Sequence, residues 1–239
     1  MQTLGIIPAR GCSKRLPGKN IKDFLGKPLI AWTIEAAKKS GAFERLIVVT
    51  DENKIAKIAK EYGAEVPELE PKELADDTAY VAGALRWMLG LLETQKYVPP
   101  HFILLEPSSI GRDPRQIAEV STILEERADL DSLLSISEVP GHYSHLKQFN
   151  IGPNGIIGRV GDGVGLKNVT HRNQDVQKSY YANSAIYGFR RKNLFTGDKN
   201  LWGNSTYGYL MDDSTLADID TQEEWDIAEF KMKHKRGEL

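Results

Sequence analysis

The residues best suited to chemistry stand in a basic loop, residues 10–20, that follows a short apolar run at residues 4–8. The run is typical of a buried strand, and a loop that leaves such a strand can point backbone N–H groups at an anion. Gly11 and Gly18 permit a close approach of the backbone. The loop also carries four cations, Arg10, Lys14, Arg15 and Lys19. We therefore predict that it holds a chain of phosphates.

The spacing within this loop matches neither the Gly-x-x-x-x-Gly-Lys-Ser/Thr pattern of P-loops nor the Gly-x-Gly-x-x-Gly pattern of dinucleotide sites. The alternative to a phosphate site is a solvated basic loop, because most charged runs face water. The position of the loop after the first predicted strand favours phosphate binding. The charge is also local, since residues 1–27 hold six Lys or Arg against one acid, Asp23, in a chain of net charge −2.

A second candidate site is the acidic pair Asp218 and Asp220. Alternate residues of an extended segment point to the same side, so both carboxylates can face one ion. Hard oxygen ligands of this kind suit Mg²⁺ on a triphosphate. The same residues, followed by Thr221 and acids at 223 and 224, also fit the capped start of a helix. Both interpretations stay open on the residues alone.

The elements that must position these residues alternate between strands and helices. Strands are predicted at residues 4–8, 45–50, 101–105, 132–136 and 184–189, and helices after Pro28 and at residues 53–62, 79–92, 114–127 and 221–235. Apolar strands between amphipathic helices indicate an α/β fold with a mostly parallel sheet covered on both faces. Residues 140–175 are rich in glycine and poor in helical periodicity. We interpret them as an inserted β-rich lobe of a single 239-residue domain.

Composition excludes several classes of protein. A chain with 41% hydrophobic and 27% charged residues is globular rather than disordered. Its net charge of −2 gives no field for nucleic acid or anionic membranes, and no run approaches the length of a spanning helix. Cys12 is the only cysteine, which excludes an intramolecular disulfide, and no signal peptide is apparent. We expect a cytoplasmic protein without nucleic-acid or membrane partners.

The segment from residue 6 to residue 20, Ile-Ile-Pro-Ala-Arg-Gly-Cys-Ser-Lys-Arg-Leu-Pro-Gly-Lys-Asn, resembles the signature of the acylneuraminate cytidylyltransferase (CMP-sialic acid synthetase) family. Further matches lie at residues 73–79, 104–109, 172–187 and 218–221, in the same order. The resemblance implies a Rossmann-like fold, CTP or another nucleoside triphosphate as one substrate, and an acidic or amino sugar as the other. It also implies Mg²⁺ as cofactor and a homodimer built by the inserted lobe.

The resemblance also assigns roles to residues. It places the nucleotide on Arg10, Gly11, Ser13, Lys14, Arg15, Lys19, Asn20 and Ala79, with Arg10 and Lys19 as catalytic residues. It places the sugar on Glu106, Arg172, Tyr181 and Asn183, and the metal on Asp218 and Asp220. The reaction implied is attack by a sugar hydroxyl on the α-phosphorus, with pyrophosphate leaving.

The chain departs from the family pattern near the expected base and sugar. Where the family commonly has arginine, serine, glutamine, arginine, arginine and glycine, this chain has Glu70, Val81, Glu106, Asn173, Tyr181 and Ser184. Arginine is the usual partner of a carboxylate, so its loss suggests an acceptor with an amine or without the expected carboxylate contact. Alternatively, Arg112, Lys147, Lys167, Arg172 or Lys178 compensates.

Three functions follow from these observations. The first is a cytidylyltransferase that makes a CMP-linked sialic-acid-like sugar. The second is a nucleotidyltransferase of altered base or sugar specificity. The third is a nucleotide-binding regulatory subunit without turnover, against which intact Lys19, Asp218 and Asp220 argue. Cys12, among the cations of the loop, is either partly reactive or a tolerated small side chain.

Overall fold

The computed structural model describes residues 3–75, 81–160, 177–195, 201–211 and 217–238. Its strands are β1 (Thr3–Pro8), β2 (Asp23–Phe24), β3 (Lys27–Pro28), β4 (Arg45–Val49), β5 (His101–Leu104), β6 (Ser109–Ile110), β7 (Ser132–Glu138), β8 (Phe149–Ile151), β9 (Ile157–Arg159), β10 (Tyr180–Arg190), β11 (Thr206–Leu210) and β12 (Ala217–Asp218). Its α-helices are α1 (Leu29–Ser40), α2 (Asn53–Glu61), α3 (Val81–Thr94), α4 (Pro114–Glu126), α5 (Arg191–Leu194) and α6 (Gln222–Lys235).

A six-stranded sheet with the order β11-β7-β10-β5-β1-β4 forms the centre of the fold. β1 pairs in parallel with β4 on one side and with β5 on the other, while β10 runs antiparallel to β5. The mostly parallel sheet flanked by helices that the sequence predicted is confirmed. Because β1 lies between two parallel neighbours, the loops after β1, β4 and β5 meet at one edge of the sheet.

The strands are apolar on both faces, and successive side chains enter different cores. Ile6 packs with α3 on one face, whereas Ile7 packs with α1 and α4 on the other. This period of two is the geometry of a strand, and burial on both faces explains the continuous apolar runs of the sequence. None of the helices within the described ranges is both long and apolar enough to span a lipid bilayer.

The helices begin and end where the sequence places their signals. Pro28 is the N-cap of α1, and Gly41 closes that helix with φ of 64°, a left-handed conformation that glycine adopts without strain. Asp113 caps α4 in a capping box with Pro114 in the first turn. α3 begins at Val81, and Ala79, the expected start, lies outside the described residues.

The chain divides into two compact units. The larger consists of residues 1–135 and 183–239, and the smaller of residues 136–182. Within the smaller unit β8 and β9 form an antiparallel pair, with Ile151 and Ile156 strongly exposed. The sequence interpretation of residues 140–175 as a β-rich insertion thus falls on this unit, although residues 161–176 lie outside the described residues.

Candidate functional site

The basic loop lies at the carboxyl end of β1, where its backbone is fixed by neighbours. The backbone N–H of Gly11 donates to Asp51 Oδ1 at 2.8 Å, and the side-chain Nδ2 of Asn20 donates to the carbonyl of Arg10 at 3.1 Å. A Cβ on Gly11 would lie 2.9 Å from the Cβ of Glu52, so glycine is required there by close packing. Gly18 has φ of 68° and leads the loop into a 3₁₀ turn at residues 19–21.

Lys19 connects the loop to the C-terminal acidic segment. Its ammonium donates to the carbonyl of Ile219 at 2.6 Å and to Asp220 Oδ1 at 2.8 Å. The other Asp220 oxygen accepts from Arg15 at 2.7 Å. The Lys19 side chain is only 12% exposed, so both burial and its two hydrogen bonds restrict its position. The structure therefore joins two sequence-predicted sites that are 201 residues apart.

The acidic pair lies at the end of β12, with Asp218 as the last residue of the strand and Asp220 in the bend that follows it. β12 pairs antiparallel with β6, and Ile219 is fully buried between exposed Asp218 and half-exposed Asp220. The cap is present as well, because the Thr221 hydroxyl accepts from the Glu224 N–H and the Glu224 carboxylate accepts from the Thr221 N–H. Cap formation and a role for Asp220 in the site are therefore compatible.

These groups surround a cavity of about 340 Å³ at the carboxyl edge of the sheet. Predicted nucleotide residues on its wall are Arg10, Ser13, Lys14, Arg15, Lys19 and Asn20. Glu106 and Asp220 lie on the wall as well, together with the exposed thiol of Cys12. Four cations on one cavity wall form an electropositive surface that suits a polyphosphate.

Glu106 follows β5 and contributes a carboxyl group that is an unusually weak acid. Burial, and after it the negative charge of Asp218, raise its pKa to about 7, against the opposing effect of the cations Arg112, Lys19 and Arg10. A carboxyl group with this pKa is partly protonated at neutral pH. It can therefore accept hydrogen bonds when ionised and donate one when protonated.

Arg112, one of the residues proposed to compensate for the lost arginines, is committed to the protein itself. It is buried, and its guanidinium donates to the carbonyl of Ala185 at 2.6 Å, the hydroxyl of Thr33 at 2.5 Å and the carbonyl of Glu106 at 2.8 Å. Burial lowers its pKa to about 10. Arg112 fixes the backbone behind the site rather than presenting its charge to an acceptor sugar.

Glu70 lies at the β4 side of the loop and is 4% exposed. Its backbone N–H donates to the carbonyl of Thr50 at 2.8 Å, which places it at the carboxyl end of β4. Burial raises the pKa of its carboxyl, Arg10 opposes the change, and Asp51 adds to it. Within the described part of the chain, Glu70 Oε1 has no hydrogen-bond partner.

Of the predicted sugar-binding residues that the structure describes, Glu106 lines the cavity, whereas Asn183 and Tyr181 are not among its lining residues. Asn183 is buried, and its Oδ1 accepts from the Ser135 hydroxyl at 2.6 Å and from the Ala185 N–H at 3.2 Å, so this oxygen stabilises the core. Tyr181 is 45% exposed and belongs to the smaller unit. Arg172 and Asn173, like Ala79, lie outside the described residues. The roles of these residues in binding stay predictions.

Ser184 occupies the position where the resembling family has glycine, and it keeps a glycine-like backbone with φ of 59°. A left-handed conformation strains a non-glycine residue. The carbonyl of Ser184 accepts from the buried Ser109 hydroxyl at 2.8 Å. The hydrogen bond helps to hold this backbone in place beside the site.

Sequence reasoning missed Asp51, whose carboxylate holds Gly11 in place. A usable signal was present, because an acid directly after β4 must lie next to the loop after β1 when the two strands are parallel neighbours. Among the described residues, no group of three or more His, Cys, Asp or Glu side chains is arranged to hold a metal. The prediction that Asp218 and Asp220 bind Mg²⁺ therefore stays a prediction.

Known proteins resemble the chain over nearly its whole length. The sequence model of the family described as Cytidylyltransferase matches residues 4–90. A CMP-N,N'-diacetyllegionaminic acid synthase of Legionella pneumophila is 32% identical over 234 residues, which cover 98% of this chain and 97% of that protein. A pseudaminic acid cytidylyltransferase of Campylobacter jejuni is 29% identical over 237 residues, which cover 98% of this chain and 99% of that protein.

Two further proteins that resemble the chain are also named as enzymes that make CMP-linked sugar acids or transfer cytidylyl groups. An N-acylneuraminate cytidylyltransferase of Streptococcus agalactiae is 33% identical over 230 residues, which cover 94% of this chain and 52% of that protein. A solved CMP:2-keto-3-deoxy-manno-octonic acid synthetase in complex with CTP has a TM-score of 0.70 at 16% identity, over 98% of this chain and 99% of that one. At this identity the structural likeness establishes the fold.

Proposed function

The chain belongs to the cytidylyltransferase family that includes the N-acylneuraminate cytidylyltransferases, and from this premise we propose that it transfers CMP from CTP to a sialic-acid-like or related ulosonic acid, with release of pyrophosphate. The observation that carries the proposal is the set of four cations that line the cavity. One of them, Lys19, is hydrogen-bonded to Asp220, which lines the cavity as well. A triphosphate has the charge and length to replace the carboxylate as the partner of these cations.

In the proposed reaction a hydroxyl oxygen of the sugar attacks the α-phosphorus of CTP. A new P–O bond forms, the bond between the α-phosphorus and the bridging oxygen breaks, and pyrophosphate leaves with the electron pair. Arg10, Lys14 and Arg15 would neutralise the phosphates, and Lys19, which also donates to the Ile219 carbonyl, would stabilise the charge that develops on the transferred group. Positioning in the rigid loop supplies the remaining acceleration.

We propose Mg²⁺ as the cofactor, held by Asp218 and Asp220. The donor set fits, because carboxylate oxygens are the ligands that Mg²⁺ prefers. Asp220 is paired with Lys19 and Arg15, and triphosphate oxygens would compete for both cations. Asp220 would then need another positive partner next to the negative charge of Asp218. When bound, the ion would neutralise and orient the phosphates.

The acceptor is proposed to present hydrogen-bond donors to Glu106. A carboxylate in this position repels another carboxylate but accepts from an amine, an amide N–H or a hydroxyl. The two similar proteins from Legionella and Campylobacter carry diacetyllegionaminic and pseudaminic acid in their names. We propose an acceptor of this amino-substituted acidic type. We further propose a cytoplasmic homodimer, for which the exposed apolar residues Ile151 and Ile156 of the smaller unit offer a surface.

The proposal is tested by measuring pyrophosphate release with each of the four nucleoside triphosphates. The acceptors are N-acetylneuraminic, diacetyllegionaminic, pseudaminic and 2-keto-3-deoxyoctonic acids, with Mg²⁺ present. We expect pyrophosphate release when CTP is combined with diacetyllegionaminic or pseudaminic acid. Mass spectrometry should then show a CMP-linked sugar as the product. Failure of every combination, while CTP still raises the melting temperature, would instead support a nucleotide-binding regulatory subunit. Sedimentation of the chain as a monomer would contradict the homodimer.

A further inference from the structure

The helix α6 is apolar on two sides, and the described part of the chain covers one of them. Trp225, Ala228 and Met232 are buried and pack into the larger unit. On the other side, Ile227 and Phe230 lie one turn apart and are 48% and 63% exposed. No residue of α6 lines the cavity at the basic loop. The exposed side therefore has no part in the proposed reaction.

The exposed side of α6 forms a row along the helix. Glu223, Ile227, Phe230 and His234 are all exposed, and residues three or four positions apart lie on one face of a helix. His234 stacks on Phe230, with the ring centroids 6.4 Å apart. The row thus has a carboxylate at its start, two apolar side chains at its centre and an imidazole at its end.

The charges beside this row change sign along the helix. The first turn holds the acids Glu223 and Glu224, and the last turn holds basic residues, namely Lys233, His234 and Lys235. This distribution complements the helix dipole. It also makes α6 complementary to itself when two copies run antiparallel, because the acidic start of each copy then faces the basic end of the other. Two parallel copies would bring like charges together, which is unfavourable.

An antiparallel pair also brings the apolar side chains together. A two-fold axis between Ala228 and Glu229 sets Glu223 of one copy level with His234 of the second copy. The same axis sets Ile227 level with Phe230, so four apolar side chains surround the axis. Such a contact is isologous, since the same surface serves on both copies.

The size of the contact indicates how strong it is. The 14 residues of α6 span about 21 Å, so a pair of these helices buries less than the roughly 1,200–2,000 Å² of a stable interface. We therefore expect weak association, with a dissociation constant in the micromolar range.

We infer that the exposed side of α6 is a contact surface for a second copy of this chain, which binds through the same side of its own α6 in the antiparallel orientation. The contact belongs to the larger unit and is separate from the homodimer proposed for the smaller unit. Both contacts together would build an assembly larger than a dimer. An anionic membrane fits this surface less well, because the acidic start of the helix would be repelled.

Disulfide cross-linking of the full chain tests the orientation and the register. In a Cys12→Ser background, which has no other cysteine, Glu223→Cys/His234→Cys should form covalent dimers on oxidation with copper phenanthroline. Chains with only one of the two new cysteines should form few, because like positions lie about 16 Å apart along an antiparallel pair. Lys57→Cys/His234→Cys, with one cysteine at an exposed position of α2, is the matched control for random collisions.

Sedimentation equilibrium of the chain at about 1–500 µM measures the strength of the contact. Phe230→Ser should weaken association through α6 at least about tenfold, because it removes half of the apolar centre. Val98→Ser removes an exposed apolar side chain elsewhere and should leave association unchanged. Glu223→Lys and His234→Glu should each weaken association, and the double variant should recover it, because the two facing charges are then exchanged.

Several results would overturn the inference. One is cross-linking of Glu223→Cys/His234→Cys no better than that of the Lys57→Cys control. Equal cross-linking of a single-cysteine chain is another, because it would indicate a parallel or random contact. Unchanged association of Phe230→Ser, or no recovery in the charge-exchanged variant, counts against the pairing as well. Binding to phosphatidylserine vesicles that Phe230→Ser abolishes, without cross-linking, would assign the surface to a membrane instead.

Discussion

Replacing Glu106 with glutamine removes an ionisable group from a place where its charge is unfavourable. In the folded chain, burial and the neighbouring charge of Asp218 raise the pKa of this carboxyl to about 7, against an ordinary value of 4.5. Glutamine has nearly the same shape and cannot ionise. The variant Glu106→Gln should therefore be more stable than the parent at any pH at which Glu106 must be ionised.

The sign and size of the effect follow from proton linkage. Between pH 4.5 and pH 7 the folded chain keeps a proton on Glu106 that the unfolded chain releases, so the free energy of unfolding of the parent falls as pH rises through this window. The gap between the two pKa values corresponds to about 3 kcal/mol. The advantage of Glu106→Gln should be near zero at pH 4.5 and approach about 3 kcal/mol above pH 7.

Urea denaturation followed by tryptophan fluorescence measures this difference. Parent and variant are compared at pH 5, 6, 7 and 8 in buffers with a chelator, so that no metal ion alters the charge at Asp218. Glu68→Gln, a change at an exposed carboxylate two residues from Glu70, serves as the control and should leave stability nearly unchanged. An advantage of Glu106→Gln that is the same at every pH, or a loss of stability at pH 8, would refute the reasoning.

Other variants test the remaining parts of the site. Lys19→Ala and Asp220→Asn should each lower kcat at least about 100-fold, measured by pyrophosphate release. Calorimetry should show that the melting temperature changes by only a few degrees. Near-normal turnover would show that the assignment of Lys19 to the phosphates, or of Asp220 to the metal, is wrong. We propose that Glu70 Oε1, which has no hydrogen-bond partner among the described residues, accepts from the amine of cytosine. Glu70→Gln should then lower the preference for CTP over UTP about tenfold, and an unchanged ratio of kcat/KM values would contradict this. Thr221→Ala removes the capping box of α6 and should lower stability by about 1 kcal/mol in urea denaturation, whereas Thr221→Ser should retain it.

The central part of the fold was predictable because buried parallel strands produce continuous apolar runs. β1, β4 and β5 all appear in the sequence in this way, and each is almost fully buried. The two-residue strands such as β6 and β12 were not predictable as strands, since a pair of residues has no periodicity. The antiparallel position of β10 beside β5 was not predictable either, because it depends on contacts between residues far apart in the chain.

The position of the basic loop at the carboxyl end of β1 was predictable, because its four cations and two glycines directly follow an apolar run. Its partner was not. The ion pair between Lys19 and Asp220 spans 201 residues, and it depends on the pairing of β12 with β6, which brings Asp220 to the loop. The raised pKa of Glu106 was also hidden, because it comes from burial, which a sequence position does not reveal.

The two acids that depart most clearly from the family pattern share one neighbour. The positive charge of Arg10 lowers the pKa of both Glu70 and Glu106, in opposition to the burial that raises them. A triphosphate bound at the loop would neutralise Arg10 and Lys19 and bring further negative charge near Glu106. The pKa of Glu106 should then rise above about 7, so binding of CTP should be accompanied by proton uptake at this residue.

This coupling gives a measurable consequence for CTP itself. In metal-free buffer, the affinity of the parent for CTP should fall as pH rises from 7 to 8, because the proton taken up by Glu106 becomes scarcer. Calorimetric titrations in buffers with different ionisation enthalpies give the number of protons taken up on binding. CTP also exchanges protons through its own phosphates, so the relevant quantity is the difference between the parent and Glu106→Gln. We expect the parent to take up more protons at pH 7.5, and equal uptake by the two chains would show that Glu106 does not sense the nucleotide.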